Sequence, residues 1–139
     1  MSEKAFKLRS RHVYAAPANA VASSEIEWLG GDGWEPFELN SETAGFLIFV
    51  YAILACQHLY LRTNCAERGL ELATAEGGIE VVTDENWNLV SLRVDFSAKL
   101  SRGVATANDI DHIVGRMKQC PVSRNVREPA SSVTTLRLT

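Results

Sequence analysis

Polar and apolar residues alternate in the first part of the chain, with the period typical of β-strands. Residues 5–14 are predicted to form a strand whose aromatic and aliphatic face carries Phe6, Leu8, His12 and Tyr14. Residues 15–24 are small and include a proline, which predicts a turn. A second strand over Glu25–Leu29 and a short third strand in the sequence WEPFEL follow. Residues 1–40 are therefore predicted to form an N-terminal β-hairpin region.

The longest apolar segment follows and predicts a central helix over about residues 41–68. Asn40 or Ser41 suits the N-cap, because the side-chain oxygen accepts a hydrogen bond from an unpaired backbone N–H. Glu42 then falls at the positive end of the helix dipole, and Gly69 suits the position after the last turn.

The first half of this helix is apolar on every side, from residue 44 to residue 56, so we expect it to be buried all round. A membrane span is the weaker alternative. Spanning a bilayer takes about 20 apolar residues, whereas polar residues follow this shorter segment at Gln57, His58 and Arg62.

Alternation returns in the second half of the chain and predicts a β-hairpin over residues 79–100, with its turn in the sequence TDENWN. Residues 106–127 are predicted to be helical. A buried stripe marks the first helix there, at Ile110, Ile113, Val114 and Met117, and Pro121 ends it. Residues 131–138 alternate as a final strand. This order of elements predicts an α+β fold in which antiparallel sheets pack on the central helix.

Composition narrows the class of protein. The chain has 139 residues, so residues 1–139 are expected to form a single domain. The net charge of −3 gives no basic excess to attract nucleic acid or an anionic membrane. The N-terminus is polar, without the apolar run of a signal peptide. We therefore expect a cytoplasmic protein with neither a nucleic-acid nor a membrane partner.

Three cysteines, at positions 56, 65 and 120, carry the candidate chemistry. Their odd number and wide spacing do not predict a disulfide framework. The pair Cys56 and His58 lacks the spacing of a zinc site, so neither a metal nor another cofactor is expected. Cys65 lies nine residues after Cys56, about half a turn off on the opposite helix face, and is expected to be a bystander.

Cys120 has two interpretations. It continues the apolar stripe of the preceding helix and so suits a buried position. Proline is also favoured at the first position of a helix, so the sequence CPVSRNVRE is able to start a new short helix with Cys120 as its N-cap. The N–H groups near Val122 and Ser123 would then favour the thiolate. If Cys56 and Cys120 meet, the pair is able to run a peroxide cycle through a sulfenic acid and a disulfide.

Two motifs resemble those of the OsmC/Ohr family, the osmotically inducible protein C and organic hydroperoxide resistance proteins. The segment AILACQHLYLRTNCAERGLEL is similar to the family's central helix, with its AxAAC motif, and QCPVSRNV resembles its Cys-Pro-Val/Ile-Ser motif. The resemblance covers roughly residues 44–138. It implies an intertwined homodimer with active sites at the subunit interface. It also implies that Cys56 is the peroxidatic cysteine, that Cys120 resolves it, and that an external dithiol reduces the pair.

The chain departs from the family at the two groups that accompany the reactive cysteine. Phe46 stands where the resemblance implies a glutamate, and Glu42 lies one helical turn further away. Asn19 stands where it implies an arginine, with Arg9 and Arg11 nearby in sequence. Without a cation, a cysteine on an apolar helix is expected to have a raised pKa and low nucleophilicity.

Three hypotheses follow. In the first, Cys56 and Cys120 reduce organic hydroperoxides. In the second, a diverged dimer without peroxidase activity binds a small apolar ligand at the subunit interface. Aromatic side chains would line the substrate or ligand pocket in either case, at Phe46, Phe49, Tyr51 and Tyr60. In the third, the chain is a structural or interaction domain with inert cysteines. The three histidines, at positions 12, 58 and 112, are given no role.

Overall fold

Six strands and three helices are formed by the residues that this computed structural model describes, 3–126 and 132–139. In chain order they are β1 (Lys4–Ala15), β2 (Ala20–Gly30), β3 (Gly33–Pro36), α1 (Gly45–Glu67), β4 (Glu71–Thr83), β5 (Leu89–Arg102), α2 (Ala107–Lys118), α3 (Pro121–Asn125) and β6 (Ser132–Leu138). Strands and helices are not arranged in alternating β-α-β units, so the predicted α+β class is confirmed.

The strands form one sheet in the order β3-β2-β1-β4-β5-β6. Neighbouring strands are antiparallel except at one edge, where β6 runs parallel to β5. The prediction of purely antiparallel sheets is therefore wrong at this edge. Parallel neighbours need a long crossover, and α2 and α3 supply it between β5 and β6.

The two faces of the sheet differ in the way that the alternation predicts. The inner face packs its apolar side chains against the helices, with β5 contributing Leu92, Val94, Phe96 and Ala98. The outer face carries cross-strand ion pairs between β1 and its neighbours, at Lys7–Glu80, Arg9–Glu27 and Arg11–Glu76. The helices and the apolar core therefore lie on one side of the sheet, and the first arginines of the chain lie on the other.

Helix α1 begins four residues later than predicted. Its N-cap is Ala44, which makes no side-chain capping bond. Asn40 instead accepts a hydrogen bond from the backbone N–H of Glu42 at 2.7 Å, which stabilises a separate turn before the helix. Glu42 therefore lies outside the first turn of α1 and does not compensate its dipole.

Burial of α1 is one-sided within the single chain, so this chain alone does not bury the helix all round. Val50, Ile53 and Leu61 are fully buried on its inner side, which packs against α2, α3, β1 and β4. Leu59 is 45% exposed on the opposite side. By length and composition α1 also qualifies as a membrane span, a test that the core helix of a water-soluble domain passes as well.

The other boundaries differ from the pattern by several residues. Strand β2 begins at Ala20, within the segment predicted to be a turn, and β4 begins at Glu71 rather than at residue 79. The small residues of both segments hide the alternation on which the predictions depend. The region 106–127 contains two helices, as predicted. Residues 1, 2, 127 and 131, which the predicted segments include, lie outside the described residues.

A glycine within β4 makes room for side chains of the two neighbouring strands. A Cβ atom at Gly77 would lie 2.5 Å from Cε1 of Phe96 and 2.8 Å from Oγ of Ser10, closer than such contacts occur. We expect Gly77→Ala to lower the free energy of unfolding by about 1–3 kcal/mol, because the buried Phe96 ring has to shift. Urea denaturation measures this loss.

The matched control for this variant is Gly115→Ala. Gly115 lies in the interior of α2, and nothing comes within 4 Å of a Cβ atom placed there. Alanine is expected to stabilise that position by up to about 1 kcal/mol, since it is the better helix former. Equal effects of the two substitutions would contradict a steric role for Gly77.

Candidate functional site

Cys56 and Cys120 lie next to each other although 64 residues separate them in sequence. Helix α1 carries Cys56 at the start of its fourth turn, half-buried, while Cys120 caps α3 and is fully buried. Both are free thiols. The side chain of Cys120 lies near enough to Cys56 to raise the pKa of its thiol. The structure therefore brings together the two cysteines that the sequence singles out.

The first turn of α3 divides its backbone N–H groups between the two sulfurs. Ser123 donates its N–H to Sγ of Cys120 at 3.4 Å, as an N-cap requires, so the capping role predicted for Cys120 is confirmed. The N–H of Val122 lies near enough to Cys56 to lower the pKa of that thiol. A short helix without acidic side chains in its first turn thus places one backbone N–H near each sulfur.

The electrostatic environment of Cys56 disfavours its thiolate. Burial raises the pKa of Cys56 to about 11, the hydrogen bond with the Cys120 thiol raises it further, and the Val122 N–H partly offsets both. No cationic side chain of the described residues contributes to this pKa. A thiol with such a pKa is only slightly ionised at neutral pH and reacts slowly.

The basic and amide side chains near the N-terminus do not reach Cys56 within the chain. Arg9 and Arg11 lie on the outer face of the sheet, paired with Glu27 and Glu76. Asn19 is buried and binds backbone only: it donates to two carbonyl oxygens, those of Arg62 and Leu70, at 3.1 Å each, and accepts the N–H of Leu72 at 2.8 Å. Asn19 therefore fixes the β1–β2 turn against the end of α1.

The four aromatic residues proposed for the pocket do not lie together in the structure. Phe49 and Tyr60 lie two turns before and one turn after Cys56 on the same flank of α1. Phe46 lies about 15 Å from Cys56 along the helix axis, from the rise of 1.5 Å per residue, and packs against aromatic rings at the start of α1, those of Phe6 and Trp87. Tyr51 packs against Phe37. Within one chain, only Phe49 and Tyr60 flank Cys56.

Comparison with known proteins gives the fold. No protein-family model matches the chain, and no curated protein matches its sequence. An OsmC-like hydroperoxide resistance protein from Jannaschia sp. CCS1 has a similar structure, with a TM-score of 0.64 over 92% of this chain and 89% of that chain, at 11% identity. The chain has the OsmC-like fold.

Two further solved structures agree. The OsmC-like protein from Mycoplasma pneumoniae has a TM-score of 0.57 at 8% identity, over 83% of this chain and 89% of that one. An OsmC-like protein of unknown function from Vibrio cholerae has a TM-score of 0.55 at 11% identity, over 81% of this chain and 83% of that one. The resemblance stated from the two motifs is thus confirmed at the level of the fold.

Buried hydrogen bonds connect Cys120 with α1 and β6. The sequence did not reveal them. Gln57 is 1% exposed, although it lies in the centre of α1. Its Nε2 donates to Oγ of Ser123 at 2.9 Å, and its Oε1 accepts from Oγ1 of Thr134 on β6 at 3.1 Å. Oγ of Ser123 lies 3.1 Å from Sγ of Cys120. In the sequence, these hydrogen bonds are signalled only by the polar residue at position 57 within the apolar helix.

The structure also pairs two of the histidines that the sequence analysis left without a role. His12 of β1 and His58 of α1 stack with their ring centroids 3.8 Å apart. Nε2 of His58 lies 2.6 Å from the hydroxyl of Tyr14, and Nδ1 of His12 lies 2.7 Å from Oγ of Ser24. Burial lowers the pKa of His12 to about 4 and that of His58 to about 3, and the Arg62 guanidinium lowers both further.

Acid is expected to destabilise the protein through this histidine pair. In the unfolded chain both imidazoles take up a proton near their ordinary pKa of 6.5, whereas the folded protein holds them neutral down to about pH 4. Between those limits the unfolded state binds more protons, so the free energy of unfolding falls as the pH falls. Urea denaturation at pH 7, 5.5 and 4.5 measures the slope.

Two variants isolate the contribution of the pair. His58→Gln removes one of the buried imidazoles and is expected to flatten this pH dependence. His112→Gln changes an exposed histidine on α2 and is expected to leave it unaltered. The interpretation is wrong if the wild type and the His58→Gln variant lose stability in parallel.

The thiols and the histidine pair are the chemically active groups that the structure assembles. No group of three or more His, Cys, Asp or Glu side chains converges within residues 3–126 and 132–139. Cys65 is fully buried, and burial raises its pKa to about 12, with the Asp109 carboxylate adding to the effect. Such a thiol is inert, which fits the bystander role expected for it.

Proposed function

We propose that the chain is an OsmC/Ohr-type protein that reduces organic hydroperoxides with the thiols of Cys56 and Cys120. The observation that carries this proposal is the proximity of two free thiols, one half-buried and the other fully buried. A half-buried sulfur is open to substrate, while a buried neighbour is in place to resolve the oxidised form.

The reaction proceeds in three steps. The Cys56 thiolate attacks the peroxide O–O bond, which breaks, so that Cys56 becomes a sulfenic acid and an alcohol leaves after taking up a proton. The Cys120 sulfur then attacks the Cys56 sulfur, and a disulfide and one water form. An external dithiol finally reduces the disulfide and is itself oxidised.

Neighbouring groups of the chain assist both thiols. The Val122 N–H stabilises negative charge on Cys56, and the Ser123 N–H does so on Cys120. Phe49 and Tyr60 provide an apolar wall along the same flank of α1, which suits the organic part of a hydroperoxide. Within its own chain, Phe46 lies about three turns of α1 away from Cys56. We therefore assign it to the substrate pocket of the partner subunit, which it would reach across the subunit interface.

The exposed side of α1 supports the proposed assembly. Ile48 and Ala52 are half-buried and Leu59 is exposed, so an apolar stripe faces outward along the helix. A second copy of the chain would cover this stripe, in agreement with the homodimer that the resemblance implies. We place this dimer in the cytoplasm, without a cofactor, a nucleic-acid partner or a membrane partner.

Disulfide mapping tests the proposal. The reduced protein is treated with one equivalent of cumene hydroperoxide, alkylated, digested and analysed by mass spectrometry. A Cys56–Cys120 linkage, formed as the hydroperoxide is consumed, is the expected result. If no linkage forms and the hydroperoxide persists, the proposal fails.

A second function is favoured by the environment of Cys56. Its pKa of about 11 and the lack of a described cation beside it fit a diverged dimer that binds a small apolar ligand at the subunit interface without reducing peroxides. Rapid hydroperoxide turnover by the wild type that disappears in Cys56→Ser would exclude this alternative.

A further inference from the structure

A small cavity lies on the other flank of α1, between this helix and the β1–β2 hairpin, and we call it the histidine cavity. Its volume is about 140 Å³. The strands contribute polar groups to its wall from Ser10, His12 and Ser24, and the helix contributes Tyr51, Ala55 and His58. Neither Cys56 nor Cys120 lines it. The histidine cavity is therefore separate from the cysteine pair within the chain.

The volume suits one aromatic ring. A cavity of about 150 Å³ is large enough to hold benzene when its walls are apolar. Apolar side chains form part of the wall here, at Val21, Ile26, Leu54 and Ala55. The histidine cavity is nearly as large, but it differs from a purely apolar cavity because polar groups line one side of it.

Hydrogen-bonding capacity is left unused on that polar side. Ser10 is 5% exposed, and its buried Oγ has no hydrogen-bond partner among the described residues. Nδ1 of His12 is hydrogen-bonded to Oγ of Ser24, and Nε2 of His58 is hydrogen-bonded to the hydroxyl of Tyr14. The second nitrogen of each imidazole makes no hydrogen bond to the residues described. Buried polar groups without a partner are costly, and a ligand or water that bonds to them removes the cost.

The charge of the wall selects a neutral ligand. Both imidazoles are uncharged at pH 7, because burial lowers the pKa of His12 to about 4 and that of His58 to about 3. No carboxylate, lysine or arginine lines the cavity, so neither a cation nor an anion finds a counter-charge there. Arg62 lies close enough to lower both pKa values, but it is not part of the wall.

We propose that the histidine cavity binds a small neutral aromatic alcohol of the phenol class, with its ring against Leu54 and Ala55 and its hydroxyl hydrogen-bonded to Ser10 and to an imidazole nitrogen. The hydroxyl of a phenol both donates and accepts, which matches a serine hydroxyl next to a neutral imidazole. This site goes beyond the thiol chemistry and does not depend on it.

The test is a titration of the reduced wild-type protein with phenol, followed by NMR of the histidine ring protons. Saturable shifts at His12 and His58, with none at the exposed His112, are expected. Toluene lacks the hydroxyl and benzoate carries a charge, so each is expected to bind at least tenfold more weakly. Shifts at His112 alone, no saturable shift, or equal binding of toluene overturns the proposal.

Two alanines, one on α1 and one on α2, give a matched pair of variants. Ala55→Leu fills the cavity and is expected to weaken phenol binding at least tenfold. Ala107→Leu changes an exposed alanine at the start of α2, outside the wall, and is expected to leave binding unchanged. Ser10→Ala is expected to abolish the preference for phenol over toluene. Cys56→Ser is expected to bind phenol as the wild type does. Equal effects of the two leucine variants, or an unchanged preference in Ser10→Ala, contradict the proposed site.

Discussion

Cys56→Ser is expected to reduce hydroperoxide consumption at least a hundredfold, to the rate of the uncatalysed reaction with the reductant. Serine keeps nearly the same size, but its hydroxyl does not form a sulfenic acid under these conditions, so the first step is lost. The measurement is the residual cumene hydroperoxide at timed intervals with dihydrolipoamide as the reductant. This result follows from the position of Cys56, whose sulfur is the more accessible of the pair.

Cys120→Ser separates the second step from the first. Serine is a good N-cap, so α3 is expected to keep its start and the protein its fold. A single turnover then leaves the Cys56 sulfenic acid without its partner, and dimedone is expected to trap it. Cys65→Ala serves as the control, because Cys65 is fully buried, and it should retain full activity. Loss of activity in Cys65→Ala alone would contradict the assignment of the pair.

The pH dependence of the first step tests the environment of Cys56. With a pKa of about 11, the thiolate fraction grows about tenfold for each pH unit above 7 until the pKa is approached. The rate at which the reduced wild-type protein consumes one equivalent of hydroperoxide is therefore expected to rise steeply between pH 7 and pH 10. A rate that is flat across this range would show that a cation from outside the described chain acts on Cys56.

Gln57→Leu is expected to lower the free energy of unfolding by about 2–4 kcal/mol. Leucine has a similar volume, but it removes both the donor to Ser123 and the acceptor of Thr134. The Thr134 hydroxyl is 7% exposed, so the substitution leaves a buried group without a partner, which costs about 1–3 kcal/mol by itself. Urea denaturation of the reduced protein measures the effect.

The same substitution should also slow the formation of the Cys56–Cys120 disulfide. Ser123 lies against Cys120 through both its N–H and its hydroxyl, and Gln57 fixes that hydroxyl. Gln119→Leu is the control, because Gln119 is exposed at the end of α2 and is expected to change stability by less than about 0.5 kcal/mol. Equal losses of unfolding free energy in the two variants would show that the buried hydrogen bonds of Gln57 add nothing to stability.

Most of the elements could be predicted because they depend on neighbours in sequence. The alternation in β5 and the stripe of α2 each place several apolar side chains on one face, and the structure buries both faces. Pro121 after Cys120 predicted the start of α3. The errors occur where such local signals are weak. Small residues obscure the start of β2, and the glycines at 77 and 78 obscure β4.

The candidate site was only partly predictable. Cys56 and Cys120 were paired from the two motifs, and the structure places them together. Phe46 was grouped with them, but in the chain it belongs to an aromatic cluster at the start of α1. Gln57 was treated only as an interruption of an apolar helix. Its partners lie 66 and 77 residues away, where no local pattern points to them.

By itself the sequence determined the α+β class, the long apolar helix, the cap at Cys120 and the two cysteines of the candidate site. These features follow from periodicity and from backbone rules that act within a few residues. Only the tertiary structure decided that β6 runs parallel to β5, that His12 stacks on His58, and that no cationic side chain among the described residues acts on Cys56. The physical reason is that such contacts join residues far apart in sequence, and the packing of α1 on the sheet determines which of them meet.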